Sequence, residues 1–318
     1  MARPLASALA PSIREYAEAR RAQGYEFRNG ELELSRLDGL ACGMGWESPV
    51  LGRELVEAFV APRPGENPRT ASSRQSAVRG FGRWLARRGV EGTYVLPACP
   101  PARSAFSPVV MSEGEVRRLL SAADGMRPTG KSPTRHVVVP ALLRTIYACG
   151  LRISEARMLV AGDVDLARGV ITIGPRKAKF NKGRLVPVSD ALAERLSRYD
   201  RAMGARGPRA PFFPSPKGFW ATSTIDRLFL ALLASAGVPH TDAGPTVHSL
   251  RHSFACHRIM RWAREGEDVN ALLPLLASYL GHEGVGGTER YLRLTAEMMP
   301  DLRDAIEGKL SWVIPGVS

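Results

Sequence analysis

The sequence predicts a mainly α-helical fold with a small β-sheet, divided into two domains. Three observations carry this expectation. Apolar residues recur at helical spacing in both halves of the chain. Two short runs, GVITI and RLVPV, have the β-branched composition of strands, with the basic turn GPRKAKFNKG between them. The stretch PACPPARSAFSP (97–108) holds four prolines in twelve residues and reads as an extended linker. At 318 residues, two cores are also the ordinary expectation. The boundaries that follow are a helical domain over 1–98, a linker over 99–110 and a second domain over 111–318.

Ser12 and Glu15 have capping-box spacing, so a first helix is expected to open at Ser12 and close at Gly24. Residues 51–60 (LGRELVEAFV) form a second, with Leu51, Leu55, Val56 and Phe59 on one stripe. RQSAVRGFGRWLARRG is a third, packed through Val78, Phe81, Trp84 and Leu85. On its other face Arg79, Arg83 and Arg87 recur every four residues, and Arg74 opens the same segment. Cations in line with no interleaved acid repel one another, so these arginines are expected to meet phosphates.

The second domain opens with another capping box, Ser112 to Glu115, ahead of VRRLLSAA. HVVVPALLRTIYACG reads as a buried helix, followed by the two strands. ALAERLSRYDRAM, STIDRLFLALLASAG and LRHSFACHRIMRWA are further helices, and Asp268 caps one that ends at Gly281. The tail AEMMPDLRDAIEGKL lines up Met298, Leu302, Ile306 and Leu310 on one helical stripe.

The formal net charge is +13 and the pI near 10.2, which favours a polyanionic partner. The excess is clustered. Residues 61–88 hold seven arginines against the single acid Glu66, and residues 168–184 hold six basic residues and no acid. The four cysteines lack zinc-module spacing. No run of 18 apolar residues spans a membrane, and the N-terminus lacks a signal-peptide core, so a cytoplasmic, nucleoid-associated protein is expected.

Residues 125–132, GMRPTGKS, match the phosphate-loop pattern of nucleotide hydrolases. That loop works only between a buried strand and a helix, where backbone N–H groups converge on phosphates. Here an amphipathic helix precedes it and Pro133 follows, so it reads as a turn.

The chemistry gathers elsewhere. Arg152 lies in CGLRISEA with Glu155 three residues on, His248 and Arg251 in HSLRHSFA, His282 in YLGH and Tyr291 in TERYLRL. Arginine forks neutralise non-bridging phosphate oxygens, imidazoles handle protons and a phenol can attack phosphorus. A carboxylate at Glu155 would fix the fork of Arg152. His248 and His252 also have H-x-x-x-H spacing, but Ser249 stands where a zinc protease needs glutamate. A basic DNA-binding protein without catalysis remains the alternative from another class, and a type IB topoisomerase the alternative within the chemistry.

In order and local context these motifs resemble the tyrosine recombinase family of phage integrases and Xer proteins, over roughly residues 110–295. The resemblance implies a helical core-binding domain followed by an α+β catalytic domain. It implies Tyr291 as nucleophile, with Arg152, Arg251, His248 and His282 at the scissile phosphate and His252 orienting a neighbour. KAKFNKGRLVPV resembles the family hairpin that carries a general-acid lysine, here Lys179, with Lys177 and Lys182 as fallbacks; these lysines and Arg184 would also contact DNA. The implied reaction goes through a 3′-phosphotyrosine without metal, nucleotide or other cofactor. The implied partners are duplex DNA with specific recombination sites and further copies of the chain, dimer to tetramer, coupled through the tail at 296–310. LPLLASYLGHEGVGGTERYLRL most resembles recombinases of transposons and integrative elements.

Overall fold

The computed structural model describes residues 4–24, 27–98, 108–174, 183–241, 244–282 and 286–298. The chain forms two compact units, Met1–Phe106 and Ser107–Ser318.

Among its described residues the first unit holds four helices, α1 (Ala10–Ala22), α2 (Arg28–Gly43), α3 (Arg53–Val60) and α4 (Pro68–Arg87). Their apolar stripes meet in a core that includes Ile13, Leu34, Leu37, Leu55, Phe59 and Phe81. α1 does not open at Ser12. It begins two residues earlier with Pro11 in its first turn, and Glu15 pairs with Arg88 instead of closing a capping box. The entry is fixed by buried Asp38, which accepts from the Ala6 and Ser7 amides and the Ser7 hydroxyl. α2 is a helix that the sequence pattern passed over. Its polar residues Glu33 and Asp38 lie buried among Leu34, Leu37 and Ala41, and no side chain caps its start. α4 starts at Pro68 behind the Asn67 cap, earlier than its apolar stripe indicated.

The second unit begins with α5 (Glu113–Asp124), whose Ser112–Glu115 capping box forms as expected. There follow α6 (Arg135–Ala148) and α7 (Ile153–Arg157). The sheet is β1 (Val164–Asp165), β2 (Val170–Ile173) and β3 (Arg184–Pro187), antiparallel in the order β1-β2-β3. Ile171, Ile173 and Val186 turn into the core from alternate positions. Then come α8 (Asp190–Met203), α9 (Thr222–Ser235), α10 (Val247–Arg264), α11 (Val269–Leu280) and α12 (Gly286–Met298). The turn at GMRPTGKS follows α5, a helix, and closes by paired backbone bonds between Thr129 and Ser132, so a phosphate loop's leading strand is lacking there. α10 is buried along most of its length and packs against α6, α11 and α12, which makes it the scaffold for everything below.

Candidate active site

Two helix ends and two further helices, α10 and α12, build the site. α6 ends at Ala148, the chain reverses at Gly150, whose φ of +57° only glycine takes easily, and it then turns into α7 with Arg152 at its N-cap. α11 stops the same way at Gly281, φ +68°. From α10, His248, Arg251 and His252 project at i, i+3 and i+4. Tyr291 comes from α12.

Glu155 is the hub, with no exposed surface. Its side chain accepts the backbone N–H of Arg152 at 2.9 Å and Arg152 Nη1 at 2.8 Å. It also accepts Arg184 Nη1 and Nη2 at 3.0 and 2.9 Å, and Arg251 Nη1 stands 4.0 Å away. Burial pushes the Glu155 pKa up, but the hydrogen bonds and charges of Arg184 and Arg152 more than reverse this and hold it below the usual carboxylate range. Three guanidinium groups thus surround one carboxylate, an excess of positive charge at a buried point.

The arginines are steered by main-chain carbonyls at the two helix ends. Arg251 donates to Gly150 O and Leu280 O, both at 2.7 Å, and Arg152 Nη2 donates to Gly281 O at 3.0 Å. Leu280 O closes the last turn of α11, where a helix leaves unpaired carbonyls at the negative end of its dipole, and Gly150 O and Gly281 O belong to the glycine turns just past α6 and α11. Arg251 is 1% exposed, and desolvation followed by repulsion from Arg152 lowers its pKa to about 10.

Arg251 Nη2 also lies 3.0 Å from His282 Nε2. A guanidinium only donates, so Nε2 accepts and the imidazole proton sits on Nδ1, which faces Thr288 Oγ1 at 2.9 Å. Desolvation, then Arg251 and Arg152, lower the His282 pKa to about 4. His252 Nδ1 lies 3.0 Å from the Tyr291 hydroxyl, and its pKa is lowered to about 3 by desolvation and then by His248 and Arg251. His248 stacks edge-to-face on His252, ring centres 4.6 Å apart, with its open side toward solvent. Desolvation of the packed side, then Arg251 and Arg152, lower its pKa to about 4. Tyr291 is 3% exposed, and burial raises its pKa, opposed by Arg251.

The structure therefore gathers Arg152, Glu155, His248, Arg251, His252, His282 and Tyr291 into one cluster. Lys177, Lys179 and Lys182, like the tail beyond Met298, lie outside the described residues. Two expectations need correction. Arg184 does not face outward as a DNA contact, because Glu155 takes its fork and the Tyr279 carbonyl accepts its Nε at 2.8 Å. Arg74 is 1% exposed, paired with Glu66 at 2.7 Å and bonded to Ala61 O, so it braces the first unit from inside. Of the arginine stripe, Arg83 and Arg87 are exposed and line a groove of about 700 Å³ with Arg20 and Arg69. Arg79 is half-buried, its Nε sealed from solvent without a partner. Thr288 had no assigned role in the sequence. Its position one helical turn before Tyr291 was the available signal.

Residues 110–298 match the sequence profile of the phage integrase family. Over 310 residues the chain is 33% identical to a Sinorhizobium fredii protein described as an integrase/recombinase, y4rB, spanning 93% of this chain and 96% of that one. It is 30% identical over 284 residues to tyrosine recombinase XerD of Pseudomonas putida, 85% of this chain and 88% of that one. Among solved structures, XerH recombinase bound to a palindromic difH substrate in a post-cleavage complex has a TM-score of 0.65 at 19% identity, covering 94% and 85% of the two chains. A lambda integrase dimer bound to a COC′ core site has a TM-score of 0.62 at 16% identity, covering 88% and 76%. The fold is that of the tyrosine recombinases. The chain belongs to the phage integrase family and is a tyrosine-type site-specific recombinase.

Proposed function

We propose that this recombinase cuts and rejoins duplex DNA through a covalent 3′-phosphotyrosyl link at Tyr291, without metal or nucleotide. The observation that carries the reading is the Tyr291 hydroxyl on His252, in one cluster with Arg251 and its partner His282. The phenol oxygen attacks phosphorus and the bond to the 5′-oxygen breaks. The phenol proton passes to an imidazole, His252 by proximity, and the departing 5′-oxygen takes a proton from a general acid. Family resemblance assigns that acid to Lys179, with Lys177 and Lys182 as alternatives. Arg152 and Arg251 balance the charge that grows on the non-bridging oxygens, and loss of one such donor costs about 10²–10³ in rate. Because the ester is conserved in the tyrosyl link, rejoining consumes no ATP.

The partners follow from the relatives, whose solved complexes hold difH DNA and a core site bound by a dimer. Here they are duplex DNA, contacted in part by Arg83 and Arg87 of the first unit, and further copies of the chain. An apolar groove lined by Phe254, Trp262, Leu275, Leu276 and Tyr279, with Arg258 at its border, suits the tail of a neighbouring copy. That tail pairs its apolar stripe with Asp301, Asp304 and Glu307. The likeness to a transposon integrase (TM-score 0.60, 17% identity) supports a mobile element as the setting.

The test is covalent trapping on DNA fragments that flank the coding sequence. Wild type should leave a denaturant-resistant protein–DNA adduct in EDTA without ATP. Tyr291→Phe should form none yet bind the same fragments. An adduct in the Phe variant would move the nucleophile elsewhere, and an adduct that chelator abolishes would restore a metal to the mechanism.

A further inference from the structure

We infer that Arg184 is a positioning residue of the phosphate clamp, holding Arg152 and the turn that leads into His282 in one frame. The inference rests on the transesterification reading above. Arg184 spends its donors inside the protein. Nη1 and Nη2 bind both oxygens of Glu155, and Nε binds Tyr279 O. Its side chain is 10% exposed.

Each of those contacts is shared with the clamp. A carboxylate offers about four acceptor sites, and Glu155 fills them with two bonds from Arg152 and two from Arg184. Without Arg184 the carboxylate is half-satisfied and can rotate, taking the Arg152 fork with it. The second contact is the turn after α11. A Cβ on Gly281 would fall 2.9 Å from Arg184 Nη1 and 3.1 Å from its Cζ, so the guanidinium lies flat on that glycine. The same turn supplies Leu280 O to Arg251 and Gly281 O to Arg152. Arg184 therefore touches the supports of both phosphate arginines without joining them at the phosphate. A planar fork is required, since a lysine ammonium is a point charge that cannot hold a carboxylate bidentately and a carbonyl at once.

The experiment measures single-turnover cleavage by full-length wild type, Arg184→Lys and Arg184→Gln, with melting followed in parallel. The probe is a nicked duplex carrying the site recovered by covalent trapping, made with a normal scissile phosphate or with a neutral methylphosphonate. On phosphate, Arg184→Gln should be about 100-fold slow and Arg184→Lys about 10-fold slow, the scale of an ångström-sized misplacement. On methylphosphonate, which lacks the charge the clamp balances, both losses should shrink to within about threefold of wild type. DNA affinity should stay unchanged, because Arg184 contacts no DNA. The Lys variant keeps the charge and carries the test if Gln fails to fold. Full activity of Arg184→Lys would overturn the inference, as would an equal loss on both substrates, the mark of a general structural defect. A wild type that forms no adduct sinks the transesterification reading instead, a distinct outcome.

Discussion

Replacing Glu155 with glutamine keeps the shape of the hub and removes its charge. Three guanidinium groups within 4.0 Å then lose the carboxylate that neutralises them, at a site with no exposed surface. Removing one partner of a buried ion pair costs about 3–5 kcal/mol. For a folding unit of this size each kcal/mol lowers Tm by roughly 2–4 °C, so the second unit should melt about 6–20 °C lower. That loss is a large part of a domain's usual stability of about 5–15 kcal/mol. Acid adds a second arm. The folded-state pKa of Glu155 lies below its unfolded value of about 4.3, so its contribution is complete above that pH and lost as pH falls through the folded value. Calorimetry of wild type and Glu155→Gln from pH 7 to pH 3 should show the gap in Tm closing on the acid side. A gap under 2 °C at pH 7 (about 0.5–1 kcal/mol), or one that stays constant down to pH 3, would refute the hub.

The remaining predictions concern the histidines and the arginine stripe. His248 and His282, at about 4, and His252, at about 3, are neutral throughout the physiological range. Cleavage should therefore hold level from pH 8 to pH 5, and a fall in kcat/KM centred near the ordinary histidine value of about 6.5 would contradict the desolvated, cation-flanked packing of these rings. Their folded pKa values lie below the unfolded one, so each withdraws stability as pH drops from about 6.5 toward 4. Alanine at Arg83 and Arg87 should flatten the slope of log K against log salt by roughly 0.9 per residue on duplex DNA. Arg74→Ala should instead lower the melting temperature of the first unit, since it leaves the largely buried Glu66 carboxylate without its ion-pair partner. An unchanged slope in the folded double variant would return Arg83 and Arg87 to the solvated surface.

What could be read without the structure were features whose information is local. The capping box at Ser112, the Asp268 cap, the Gly281 reversal and the apolar stripes of α3 and α4 each need only neighbours within a turn or two. The order of Arg152, His248, Arg251, His282 and Tyr291 was equally plain, and all five meet in one cluster. Errors came where a residue's fate depends on a distant partner. Arg184 and Arg74 looked like exposed charge because Glu155 is 29 residues away from the one and Glu66 is eight from the other. α2 was missed because Glu33 and Asp38 interrupt its apolar stripe, and Asp38 is buried to bind the backbone of Ala6 and Ser7. Ser12 misled as a cap because Pro11, two residues into α1, already sets the helix entry.

Two of the acceptors that hold Arg251, and the one on the second arm of Arg152, are peptide oxygens, and every amino acid carries one. Substitution at Leu280 can change packing but cannot delete its carbonyl. That part of the hydrogen-bonding frame around the two arginines is thus beyond the reach of point mutation, provided two helices still end where they do. Such a frame lets sequences drift widely around the site while the arginines keep their aim. It also means that side chains alone do not describe what the recombinase holds in place.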